Sequence, residues 1–195
     1  MPSIKTTTPI LPGKYYHIFN RGSNKKAIFY STANYHYFLK LIDKNLHKHV
    51  DILAYCLLFN HFHLIIRTKD LNNENESGYR KRITSHFKSL FVSYAMSINK
   101  QEGFVSNLFD AKFKRLEINN DNYLKYLIFY THYNPKKHQL CTDFKNYLFS
   151  SYNSLISNTK TKVNRELVLN IFEGREQFIN YHDVLHQERN KLILE

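Results

Sequence analysis

The stretch VDILAYCLLFNHFHLIIR, residues 50–67, constrains the fold more than any other part of the chain. Residues 50–59 are almost all apolar, the pattern of an interior strand covered on both faces. Asn60 and its neighbours interrupt the run as a tight connection, and HFHLIIR (61–67) resumes it as a further strand. Alternation along a strand sends residues i and i+2 to the same side. His61 and His63 therefore project together, joined further along by Arg67, while Phe62, Leu64 and Ile66 project the other way. The apolar set belongs against a helix-covered core and the imidazoles on the open face. Two imidazoles in adjacent same-face positions are placed to share a divalent cation. The competing reading is that one or both bond a carbonyl at the sheet surface.

The flanking segments build a sheet around this pair. KYYHIFNRG (14–22) is rich in β-formers and ends in a turn, and FKRLEI (113–118) reads as a fourth strand. STANYHYFLKLIDKNLHKH opens with Ser31 and Thr32 as N-cap candidates, then repeats Tyr35, Phe38, Leu39, Ile42 and Leu46 at helical spacing. YRKRITSHFKSLFVSYAMSINK carries a stripe of Ile83, Phe87, Leu90, Phe91, Tyr94 and Ile98. DLNNENESG (70–78) reads as a loop or lid. A helix over 121–135 is expected to be capped by Asp121 and ended by Pro135. Further helical stretches fall around 147–157 and 165–190, with Gly174 as a stop. The order β-α-β-β-α-β-α implies an α+β sandwich with a mostly antiparallel sheet, helices on one face and a C-terminal helical extension. Residues 1–13 read as a flexible arm, 14–157 as the main domain and 158–195 as the extension.

The net charge is +12. A charge of that size fits a polyanionic partner, nucleic acid above all; a basic surface that serves only solubility is the alternative. Cys56 lies in an apolar run and Cys141 far from it, so neither a disulfide framework nor a zinc knuckle is implied. The N-terminus lacks the apolar core of a secretion signal. Apolar runs fall short of the about 20 residues that span a bilayer. These features point to a cytoplasmic protein without a membrane partner.

NYLKYLIFYTHYNP places Tyr126, Tyr130 and Asn134 along one helix face at i, i+4 and i+8. A phenol beside a cation can act as a nucleophile, and an amide oxygen can serve as a hard third ligand beside two histidines. Tyr123 and Tyr133 read as packing residues with wet hydroxyls.

YHIFNRG, YCLLFNHFHLIIR and YLIFYTHYNPKK, in this order and at this spacing, resemble the single-tyrosine HUH transposases, especially the REP-associated tyrosine transposase and IS200-like groups. NLFDAKFKRLEI and FSSY (149–152) sit where that family has similar stretches, and the resemblance runs from about residue 14 to 157. The chain departs from the pattern at Asp110-Ala111-Lys112, where a Gly and an Arg or Gln are usual. The resemblance implies a ferredoxin-like sheet, Mg²⁺ or Mn²⁺ held by His61, His63 and Asn134, Tyr130 as nucleophile and Tyr126 as auxiliary at most. It also implies metal-dependent cleavage and rejoining of single-stranded DNA near hairpins through a 5′-phosphotyrosine, by a monomer in preference to a homodimer. Arg21, Lys25, Lys26, Arg80, Lys81, Arg82, Lys112, Lys114 and Arg115 are the candidate DNA contacts. A domesticated, non-cleaving binder of hairpin DNA or RNA, a hydrolase that uses water, and an RNA-binding sheet platform are the competing readings.

Overall fold

The computed structural model describes residues 7–70, 75–110 and 112–194, without the side chains of 190–194. Four strands, β1 (Tyr15–Arg21), β2 (Val50–Leu58), β3 (His61–Thr68) and β4 (Lys114–Ile118), form one sheet in the order β2-β3-β1-β4. Every neighbouring pair is antiparallel. With α1 (Thr32–Leu46) between β1 and β2, and α2 (Glu76–Glu102) between β3 and β4, this is the ferredoxin-like βαββαβ arrangement. The chain continues through α3 (Asp121–Lys137), α4 (Tyr152–Ile156), α5 (Arg165–Ile171) and α6 (Arg175–Leu194).

Local chemistry explains the helix ends. Asn75 Oδ1 accepts from the Gly78 N–H at 2.8 Å to start α2, and Gly103, at φ +69°, closes it in the left-handed conformation that an L side chain resists. The expected cap of α3 moves by one residue: Asn120 Oδ1 accepts from the Tyr123 N–H at 2.9 Å, and Asp121 opens the helix instead. Pro135 does not end α3. A proline inside a helix loses its own N–H bond and crowds the carbonyl four residues back, yet the next turn still closes, with the His138 N–H donating to the Asn134 carbonyl at 3.0 Å.

The predicted α2 stripe is buried and meets the strand face of Phe62, whose ring lies 5.1 Å from Phe38 and 5.4 Å from Phe91. The opposite face, bearing His17, His63 and Ile65, is not left open: α3 lies across it, with the Tyr130 ring 6.0 Å from His63. Nor is β2 an interior strand. It is a sheet edge made to resemble one, because later backbone covers it. The Leu57 N–H donates to the Phe149 carbonyl at 3.0 Å, Ser151 to Tyr55 at 3.0 Å and Asn164 to Ile52 at 2.8 Å.

The first six residues of the expected flexible arm, and 71–74 of the expected lid, lie outside the described residues. Residues 8–11 are tied down rather than loose. The Thr8 N–H donates to the Arg115 carbonyl at 3.2 Å, Ile10 is buried in the core, and the Leu11 N–H donates to the Tyr16 hydroxyl at 2.8 Å. Among the described residues no helix is long and apolar enough to cross a membrane.

A fully buried polar chain joins α3 to α6. The His182 Nδ1 lies 2.8 Å from the Phe178 carbonyl, which can only accept, so that nitrogen carries the proton. His182 Nε2 then accepts from His132 Nδ1 at 2.9 Å, and His132 Nε2 accepts from the Ser151 hydroxyl at 2.8 Å. Both rings are neutral. Burial pushes His132 well below the usual imidazole range and His182 down to about 3.

Candidate active site

Because His61 pairs with Arg21 and His63 with Phe19 across the ladder, the end of β3 that carries both histidines lies beside the end of β1. Those strand ends, α3 and residues 59–60 enclose a cleft of about 550 Å³. Its lining brings together His61, His63, Tyr130 and Asn134, the four residues expected to do the chemistry, with Arg21, Lys25 and Lys114 among the expected DNA contacts.

Each histidine has one nitrogen engaged behind it. His61 Nδ1 lies 2.6 Å from Asn60 Oδ1, and His63 Nδ1 lies 2.8 Å from His17 Nε2. Asn60 Oδ1 can only accept, so His61 Nδ1 holds its proton and Nε2 keeps its lone pair. A proton on His63 Nδ1, given to His17, leaves the same arrangement at His63. Such partners behind a ring fix its tautomer and aim its other nitrogen. Burial, then the neighbouring imidazoles and cations, holds His61 down to about 4 and His63 well below the usual range. Burial alone takes His17 to about 4. At neutral pH all three rings are uncharged, the form in which imidazole ligates.

Asn134 is fully buried. Its Nδ2 donates to the Tyr130 carbonyl at 2.7 Å, which directs the amide, while Oδ1 is buried with no hydrogen-bond partner among the described residues. An orphaned acceptor of this kind costs about 1–3 kcal/mol unless something binds it. No group of three or more His, Cys, Asp or Glu side chains among the described residues is placed to hold a metal ion, and the Asn134 amide is the candidate third protein donor beside His61 and His63. The set fits: imidazole nitrogens suit first-row divalent ions, and an amide oxygen suits Mg²⁺ or Mn²⁺.

Tyr130 is half-buried, and its hydroxyl accepts from Lys137 Nζ at 2.9 Å. Tyr126 lies one turn earlier, its ring 6.3 Å from that of Tyr130, and its hydroxyl accepts from Arg189 of α6. Tyr133 is buried as expected, but Tyr123 is exposed and packs no core.

The expected DNA contacts divide into separate groups. Arg21, 3.8 Å from Asp110, shares the histidine cleft with Lys25 and Lys114, the last 5.9 Å from the centre of the Phe19 ring. Arg80, Lys81 and Arg115 instead line a groove of about 620 Å³ on the α2 face, and Arg115 Nε donates to the Thr8 carbonyl at 2.6 Å. Arg82 engages His49 at 2.6 Å, Lys26 lies in a third hollow, and Lys112 is exposed. Sequence reasoning missed His17 and Asn60, which bond the two imidazoles, and Lys137 and His138 in the cleft lining, the His138 ring 4.8 Å from that of His61. The signal for His17 was available: it alternates with Tyr15 and Phe19 on a strand, as His61 does with His63.

A solved structure shares this fold. It is a REP-associated tyrosine transposase bound to a REP hairpin, at TM-score 0.57 and 19% identity, over 80% of this chain and 86% of that one. No protein-family model matches the sequence, and no curated protein matches it.

Proposed function

We propose that this chain is a metal-dependent single-stranded DNA transposase or endonuclease that cuts and rejoins DNA beside hairpins through a 5′-phosphotyrosine at Tyr130. The observation that carries the reading is that one cleft is lined by His61, His63, Tyr130 and Asn134, the last with a buried Oδ1 that lacks a hydrogen-bond partner among the described residues. The fold shared with a hairpin-bound transposase supports it.

In this reading His61, His63 and Asn134 hold Mg²⁺ or Mn²⁺, with His17 and Asn60 orienting the two rings. When bound, the cation supplies Lewis-acid neutralisation of charge on the scissile phosphate. Tyr130 Oη attacks phosphorus and the P–O3′ bond breaks, leaving a free 3′-OH and the 5′-phosphate on the tyrosine. The linkage conserves a phosphodiester, so a DNA 3′-OH can reverse the step without a nucleotide cofactor. Arg21, Lys25 and Lys114 grip the strand, and Phe19 and the exposed Phe59 offer faces on which bases stack.

The test is incubation of a labelled, randomised library of hairpin-bearing single strands with Mn²⁺, followed by a denaturing gel. A covalent protein–DNA band that disappears in Tyr130→Phe and in His63→Ala is expected. Cleaved ends with no covalent band would indicate a hydrolase, and retention without cleavage a non-cleaving binder.

A further inference from the structure

We propose that Lys137 is a catalytic residue: its ammonium stabilises the negative charge that develops on Tyr130 Oη as the tyrosine–phosphorus bond is made and broken. This rests on Tyr130 being the nucleophile and adds the group that serves it.

Three observations set Lys137 apart from the other cations of the cleft. First, Nζ donates to Oη at 2.9 Å and lies 4.8 Å from the ring centre, so the charge sits at the reacting atom. Second, that bond is the only one its side chain makes among the described residues, and no carboxylate pairs with it there. Arg21, by contrast, faces Asp110 at 3.8 Å. The ammonium is therefore directed at the phenol alone. Third, the placement is built in. Because α3 runs on past Pro135, residue 137 falls seven after residue 130, two turns along the same face, and both border the cleft.

The chemistry gives that charge a task. On cleavage, Oη forms a bond to phosphorus and its proton passes to solvent; P–O3′ breaks and O3′ takes a proton from water. On rejoining, the 3′-OH attacks and gives its proton to water, the P–Oη bond breaks, and its electron pair returns to Oη as a phenolate, which then takes a proton from solvent. An ammonium that already donates to Oη stabilises that phenolate without reorganisation. Since it is donating, it acts as a charge and not as the base.

The alternative for an exposed lysine on a cleft rim is a contact to DNA phosphate. Single-turnover cleavage, and rejoining from the isolated covalent adduct chased with a 3′-OH strand, are measured with hairpin-bearing single-stranded DNA at saturating protein. Lys137→Gln is expected to slow both by about 10- to 100-fold. Lys137→Arg should recover most of the loss, and affinity for the same DNA in EDTA should change little. The decisive variant carries 3,5-difluorotyrosine at position 130. Its phenolate needs less stabilisation, so the Lys137→Gln penalty on rejoining should shrink to a few-fold. An equal penalty with both tyrosines would make Lys137 a positioning residue and overturn the proposal. Full rates at saturation with weakened binding would make it a phosphate contact and overturn the proposal equally. A wild-type chain that forms no adduct removes the functional reading itself; an adduct formed at full rate by Lys137→Gln removes only this one.

Discussion

Acid should unfold this protein through its buried imidazoles, and the size of the effect follows from their surroundings. His17 is held neutral down to about 4 and His182 down to about 3, against 6.5 when solvated. A depressed imidazole binds its proton in the unfolded chain first. Stability is therefore intact above about pH 6.5 and is lost as pH falls toward the folded values. At pH 4.5 each of the two removes about 2.5 kcal/mol, together about 5 kcal/mol. That is comparable with the whole stability of many domains. His63 and His132 are shifted the same way and add to the loss. Urea unfolding followed by circular dichroism in EDTA, from pH 7 to 4.5, measures it. His182→Gln should retain contact with the Phe178 carbonyl and His132 while removing about half of the two-residue loss, whatever it does at pH 7. A wild-type chain that loses less than about 1 kcal/mol over this range, or a variant with unchanged pH dependence, would refute the assignment of neutral buried rings.

Three further outcomes are expected. His17→Phe should keep the fold but weaken Mn²⁺ binding by about 10- to 100-fold in a calorimetric titration, because His63 loses the partner that sets its tautomer. Asn134→Ala should weaken the same binding while changing unfolding free energy by no more than about 1 kcal/mol, since the lost bond to the Tyr130 carbonyl is offset by removal of an orphaned acceptor. Lys114→Gln should lower the salt slope of single-stranded DNA binding by about 0.7, measured by fluorescence anisotropy, whereas Arg82→Gln, already engaged with His49, should barely move it.

Much of the sheet was legible because alternation is a strong signal. The faces of His61, His63, Phe62 and Leu64 followed from period two alone, and the α2 stripe from helical spacing. What stayed hidden depended on distant partners. β2 reads as interior because residues 149–151 and 163–164 cap its edge, and nothing within 50–58 announces that. The bond between His17 and His63 spans 46 positions and requires the β1–β3 register. Lys137 stayed hidden because Pro135 reads as a helix end, whereas α3 carries both Asn134 and Pro135 and runs on to Lys137. His132 and His182 look like surface residues in sequence; only the packing of α6 on α3 shows that each satisfies the other.

The cleft is small for a polymer. A hollow of about 550 Å³ has the capacity of a small-molecule pocket, enough for one linkage and its immediate neighbours. If the proposed strand transfer takes place there, its chemistry is nearly blind to the message that the strand carries. Under that proposal target choice resides in surfaces outside the hollow, which could be altered wholesale while the reaction went on unchanged.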